Sequence, residues 1–182
     1  MSVLGELQPN KVFKYFEEIC SIPHGSRNLQ QISDYLVDFA KAHELKYRQD
    51  EDLNVIIWKD GSKGYEASEP VILQGHMDMV AVKEADCDKD MEKEGLDLEI
   101  NGDYISAKGT SLGGDDGIAV AYTLAVLDDE EMAHPPIEAI FTVNEEIGML
   151  GAATIDVSDL KGRLFMNMDS EDEGVFTAVS YT

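Results

Sequence analysis

The sequence is poor in cysteine and in positive charge. Its two cysteines, Cys20 and Cys87, form no CxxC pair. That excludes a disulfide framework and a structural zinc knuckle, and fits reduced thiols in a cytoplasmic protein. Lysine and arginine number 14 against 37 acidic residues, a formal net charge of -23. A surface this negative repels phosphate backbones and anionic lipid, so neither nucleic acid nor a membrane is expected as a partner. No apolar run is long enough to span a bilayer. The first residues, MSVLGELQPNKVFKYFEEIC, carry charges throughout and do not read as a signal peptide. There is no internal repeat, low-complexity tract or linker. What remains is a chain of 182 residues, 43% hydrophobic, enough for the core of one domain.

Val12, Phe13, Phe16, Ile19 and Cys20 recur at helical spacing and predict a helix over Leu7 to Cys20, with Pro9 in its first turn. Ile32, Tyr35, Leu36 and Phe39 predict a second, from about Asn28 to His43. Short strands follow at Lys46 to Gln49 and Asn54 to Trp58, then a loop at Asp60-Gly61-Ser62-Lys63-Gly64. The runs Pro70 to Gln74, Ile137 to Val143 and Leu164 to Met168 are apolar without alternation, which suits strands buried on both faces. Asn101-Gly102-Asp103 predicts a hairpin between Leu96 to Ile100 and Tyr104 to Ala107. Helices are expected at Ile118 to Leu127 and Leu150 to Ile155, and a last strand at Val175 to Tyr181. Strands alternating with helices predict an α/β sandwich with a central sheet.

Three apolar strands each stop at a polar cluster. The first leads to His76 and Asp78, the second to Glu145 and Glu146, the third to Asp169. Sites in open α/β sheets gather at the carboxyl ends of strands. Asp115 and Asp116 stand just before an apolar helix, where a carboxylate is favoured. One imidazole and several carboxylates make a ligand set for zinc, manganese or cobalt in a hydrolytic site. Two such ions sharing a carboxylate lie ~3.5–4 Å apart, and a free glutamate beside them can accept a proton from water. The adjacent pair Glu145-Glu146 suits one base and one ligand.

Taken singly, each feature has an ordinary account. His76 is then a core histidine, Asp115-Asp116 a helix cap, Glu145-Glu146 a solvated loop and Asp169 the start of a surface turn. The coincidence of three strands ending in ligand-type residues argues for the site. Asp86, Asp88 and Asp90 imitate the start of a calcium loop, but Met91 stands where glycine is required, so the stretch reads as a solvated acidic loop.

Gly75-His76-Met77-Asp78-Met79-Val80 resembles the GHxDxV signature of metal-dependent dipeptidases, aminoacylases and carboxypeptidases. Gly109 to Ala119, GTSLGGDDGIA, resembles the GTTLGADNGIG of the aminoacyl-histidine dipeptidase branch. His134-Pro135-Pro136-Ile137-Glu138 and the stretch Phe141 to Ala152 resemble its HxPLE and FTVDEETGMTGA, and Asn167 to Glu171 resembles its NxDSE. The similarity runs from about Leu7 to Gly174.

The resemblance implies a three-layer α/β sandwich with a mixed central sheet, part of a two-metal exopeptidase catalytic domain. It implies that His76 and Asp169 bind one metal, that Glu146 binds the other and that Asp115 bridges them. Asp78 is expected to orient the His76 ring, and Glu145 to act as general base. Two divalent ions are implied, zinc first, with manganese or cobalt as substitutes. The substrate implied is a dipeptide or small peptide with a free N-terminus, and the parent protein is expected to be a homodimer. Departures are modest: Gly114-Asp115-Asp116 replaces Ala-Asp-Asn, Thr110-Ser111 replaces Thr-Thr, and Asn144 replaces an aspartate. Family members are longer, with a lid domain and a later histidine ligand. Residues 1–182 are therefore expected to be the N-terminal portion of the catalytic domain, impaired when isolated. Deacylation of N-acyl amino acids, carboxypeptidase cleavage and a non-catalytic metal-binding module are the alternatives.

Overall fold

The computed structural model describes residues 2–170 and 174–179. A five-stranded sheet lies at its centre, in the order β1-β2-β6-β3-β7. The strands are β1 (Lys46–Gln49), β2 (Val55–Lys59), β3 (Val71–His76), β6 (Ile137–Thr142) and β7 (Leu164–Asn167). β1, β2 and β6 pair antiparallel, whereas β6, β3 and β7 run parallel. This is the mixed α/β sheet expected. β4 (Leu98–Asn101) and β5 (Tyr104–Ala107) form a separate hairpin turning at Gly102, whose φ of +64° favours glycine.

Helices α1 (Asn10–Cys20), α2 (Gln30–Ala42) and α3 (Gly114–Leu127) share one core with one face of the sheet. Val55 and Ile57 of β2, Leu73 of β3, and Ile137, Ala139 and Phe141 of β6 point into it. Tyr15 of α1 meets Phe39 of α2 edge to face, with ring centroids 5.5 Å apart. On the other face, Ile56, Ile72 and Ile140 are also buried. There the segment between α4 (Leu150–Thr154) and β7 crosses the sheet, and the Glu138 carboxylate accepts the amides of Lys161 and Gly162. A buried carboxylate satisfied by backbone donors anchors that crossing.

Three expectations change. α1 begins at Asn10, because Pro9 takes the extended N-cap position and its carbonyl receives the amides of Val12 and Phe13. Leu164 to Asn167 forms the third strand but is exposed, not buried: β7 is the sheet's edge and pairs only with β3. The last strand is not formed over residues 175–179, where Phe176 is 96% exposed, and residues 180–182 lie outside the described residues. No helix of the described residues is long and apolar enough to cross a membrane.

Candidate metal centre

Parallel pairing brings the three strand ends level. His76, the last residue of β3, is opposite Thr142 of β6. Gln74 is opposite Asn167 of β7, so Asp169 falls beside His76. Gly75 makes room for the fourth contributor. A Cβ there would stand 2.7 Å from a carboxylate oxygen of Asp116 and 2.9 Å from the Ala119 Cβ. Its absence lets the start of α3 close onto β3. Asp115 and Asp116 are not yet helical in φ and ψ, so regular helix begins after them.

His76 is buried, and its Nδ1 bonds the backbone carbonyl of Asp78 at 2.9 Å. That bond leaves Nε2 as the outward-facing nitrogen. Around Nε2 stand Asp115 Oδ1 at 3.0 Å, Glu145 Oε2 at 3.9 Å and Asp169 Oδ2 at 4.0 Å. Two groups of ligand atoms lie within 4.8 Å of one another: His76 with Asp115 and Glu146, and His76 with Glu145 and Asp169. The structure thus brings His76, Asp115, Glu145, Glu146 and Asp169 around one imidazole, with Glu146 grouped with His76 and Asp115, and Asp169 grouped with His76 and Glu145. Asp78 lies beneath them, but its carboxylate is 3.6 Å from Nδ1, and its carbonyl is what fixes the ring. The carboxylate instead accepts the Ser26 hydroxyl at 2.8 Å and the Glu145 amide at 3.0 Å.

The electrostatics reflect crowded carboxylates around one imidazole. Burial opposes a charge on His76, but the Asp78 side chain 3.6 Å away, the charge of Asp116 and the bond to the Asp78 carbonyl outweigh it and push the pKa up to about 10. Burial likewise opposes ionisation of Asp78, yet His76, the Glu145 amide and Ser26 hold its pKa below the usual range. Burial and then the charge of Asp115 raise Glu146. A cluster of this sign is relieved by cations, and its mix of imidazole and carboxylate suits zinc, manganese or cobalt.

Three participants escaped the sequence reading. Asp116 is buried and accepts the His76 amide at 3.2 Å, where a helix cap would have faced solvent. Ser26 holds Asp78, and Asn144 accepts the Arg27 amide at 2.9 Å. Nothing in a single sequence marks Ser26, and Asn144 shows only as a replacement of an aspartate, without its role. Asp116 does carry a signal, as an acid flanked by glycine and apolar helix. His24, His43 and His134 stay apart and bond Ile22, Asp128 and Pro135 respectively. Asp86, Asp88 and Asp90 form no metal-type cluster among the described residues.

The fold resembles that of peptidase domains. A tripeptidase from Staphylococcus aureus superposes with a TM-score of 0.75 at 23% identity, over 92% of this chain and 45% of that one. The aminoacylhistidine dipeptidase of Vibrio alginolyticus matches with a TM-score of 0.91 at 40% identity, over 94% of this chain and 35% of that one. The cytosol non-specific dipeptidase of Escherichia coli K12 is 40% identical over 174 residues, 96% of this chain and 36% of the relative. The chain is therefore related to the aminoacyl-histidine dipeptidases along nearly all of its length, and spans a little over one third of theirs. No protein-family model matches it.

Proposed function

We propose that this chain is part of a two-metal dipeptidase, in which Glu145 is the general base. The observation that carries the reading is a pair of ligand groups sharing His76, one with Asp115 and Glu146 and one with Glu145 and Asp169, each with its ligand atoms within 4.8 Å of one another. His76, Asp115 and Asp169 would hold one ion, and Asp115 and Glu146 the other; zinc fits the set, as do manganese and cobalt. When bound, the two ions would polarise a peptide carbonyl and lower the pKa of the attacking water.

The chain's own residues do the rest. The backbone of Asp78 turns the His76 ring, and its carboxylate pins the Glu145 amide, so ring and base share one support. Glu145 takes the proton of the attacking water and returns it to the leaving amine. The free N-terminus of a dipeptide is cationic and is attracted to so acidic a site. Cleavage of dipeptides, a homodimeric parent and a cytosolic setting belong to this reading, which concerns a whole protein of the relatives' kind.

The test is dipeptide hydrolysis by this chain with added zinc, manganese or cobalt, native against Glu145→Ala. Turnover in the isolated chain is expected to be impaired, and whatever turnover it shows should fall about 10²–10⁴-fold in the variant. Equal turnover in both would remove Glu145 from the chemistry. No turnover from folded, metal-loaded native protein would reduce this chain to a metal-binding module. Substrates with acylated N-termini separate the dipeptidase reading from deacylation.

A further inference from the structure

Glu145 and Glu146 sit in the loop between β6 and α4, and this loop is an improbable one. Asn144 and Met149, near its two ends, both adopt left-handed φ angles, +54° and +55°. Such backbone persists only where the surroundings over-determine it. At the apex, the Glu145 amide bonds Asp78 and the Asn144 side chain holds the Arg27 amide. At the neck, Gly151 donates to the Val143 carbonyl at 2.9 Å and Leu150 to that of Asn144 at 3.1 Å.

One side chain spans that neck. Asn54 is buried, immediately before β2. Its Oδ1 accepts the Val143 amide at 3.1 Å, and its Nδ2 donates to the Gly151 carbonyl at 3.3 Å. The β2–β6 ladder ends at Val55 opposite Phe141, and the asparagine side chain takes over where backbone pairing stops. Its orientation is imposed from behind. Asp50 accepts both Nδ2 at 2.8 Å and the Asn54 amide at 2.8 Å, so Oδ1 must face Val143. A Cβ on residue 151 would collide with Asn54 Oδ1, so glycine is needed there to admit the amide.

We infer that Asn54 is a positioning residue for Glu145 and Glu146, holding their loop at its neck while Asp78 holds it at its apex. The roles given to the two glutamates rest on the proposed function; the loop's dependence on Asn54 does not. A purely structural asparagine would stabilise the domain as a whole. A positioning one controls this loop beyond its effect on the domain.

The experiment uses the full chain with Asn54→Ala, Asn54→Asp and, as control, Ser33→Ala. Ser33 is buried and its hydroxyl bonds the Leu53 carbonyl at 2.7 Å, so its loss loosens the same turn without touching the neck. Amide hydrogen exchange is read at Glu145 and at Met77, whose amide bonds the Thr142 carbonyl beside the loop. In Asn54→Ala we expect exchange at Glu145 to accelerate about tenfold or more beyond any change at Met77. Ser33→Ala should move the two amides together. Asn54→Asp keeps the acceptor for Val143 but loses the donor to Gly151, and should fall between; it also carries the comparison if the alanine variant does not fold.

Cobalt(II) titration adds the functional readout. Affinity for one of two ions should fall about 10–100-fold in Asn54→Ala and remain native in Ser33→Ala. Equal acceleration at Glu145 and Met77, with native cobalt affinity, would overturn the inference. A native chain that takes up no cobalt would sink the metal reading, while the exchange data still decide whether Asn54 positions the loop.

Discussion

Asp116 is where residue chemistry departs most from the ordinary. Its carboxyl is buried and its pKa rises to about 7: burial is the main cause and outweighs the opposing pull of the His76 charge and amide, with the charges of Asp169 and Asp115 adding to the rise. In the unfolded chain the same carboxyl ionises near the usual 3.8. Between those values the folded state holds a proton that the unfolded state has lost, so raising the pH through this window costs stability. His76, raised to about 10 from 6.5, has the same sense but a higher window: its contribution is complete below 6.5 and fades only above, so it does not mask the slope. We expect the metal-free chain to lose up to about 4 kcal/mol between pH ~4 and ~7. Asp116→Asn preserves an acceptor for the His76 amide and should flatten that slope. Thermal midpoints across the window check this: the variant's advantage should grow from pH 4 to pH 7, and parallel curves would show that Asp116 ionises normally.

At the scale of elements, the site depends on how closely α3 meets β3, and Gly75 sets that distance. Gly75→Ala would press a methyl onto Asp116 and onto Ala119, which the helix cannot easily move. An overpacking cost of about 1–3 kcal/mol is expected, read as a lower thermal midpoint; an unchanged midpoint would mean that α3 yields freely. The elements were largely legible because patterns stated them. β3 and β6 are largely buried and read as continuous apolar runs, and strand termination at His76, Glu145 and Asp169 already marked where the candidate site lies. What was not legible depends on partners distant in sequence. Nothing in Leu164 to Asn167 says that β7 lies at an edge, since its apolar run matches that of a central strand. Asn54 lies 89 positions from Val143 in sequence, and Asp78 orients His76 through a carbonyl that every residue carries. Composition shows neither.

For the whole molecule, two properties oppose each other. The net charge of -23 repels other copies of the chain. Yet β7 is an edge strand with no partner on its outer side among the described residues, and Leu164, Phe165 and Met166 on it are each about half exposed. Free edge amides and apolar side chains together invite strand-to-strand association. Long-range repulsion is screened within about 8–10 Å at physiological salt, whereas apolar contact is not weakened by it. The chain should therefore be monomeric at low ionic strength and associate as salt rises, opposite to an assembly held by ion pairs. Phe165→Lys adds a charge to the edge without emptying a buried site, and should shift association to higher protein concentration while leaving the thermal midpoint within a degree or two. Light scattering across a salt series, native against Phe165→Lys, checks both. Association that weakens with salt, or that ignores the lysine, would place the contact elsewhere on the surface.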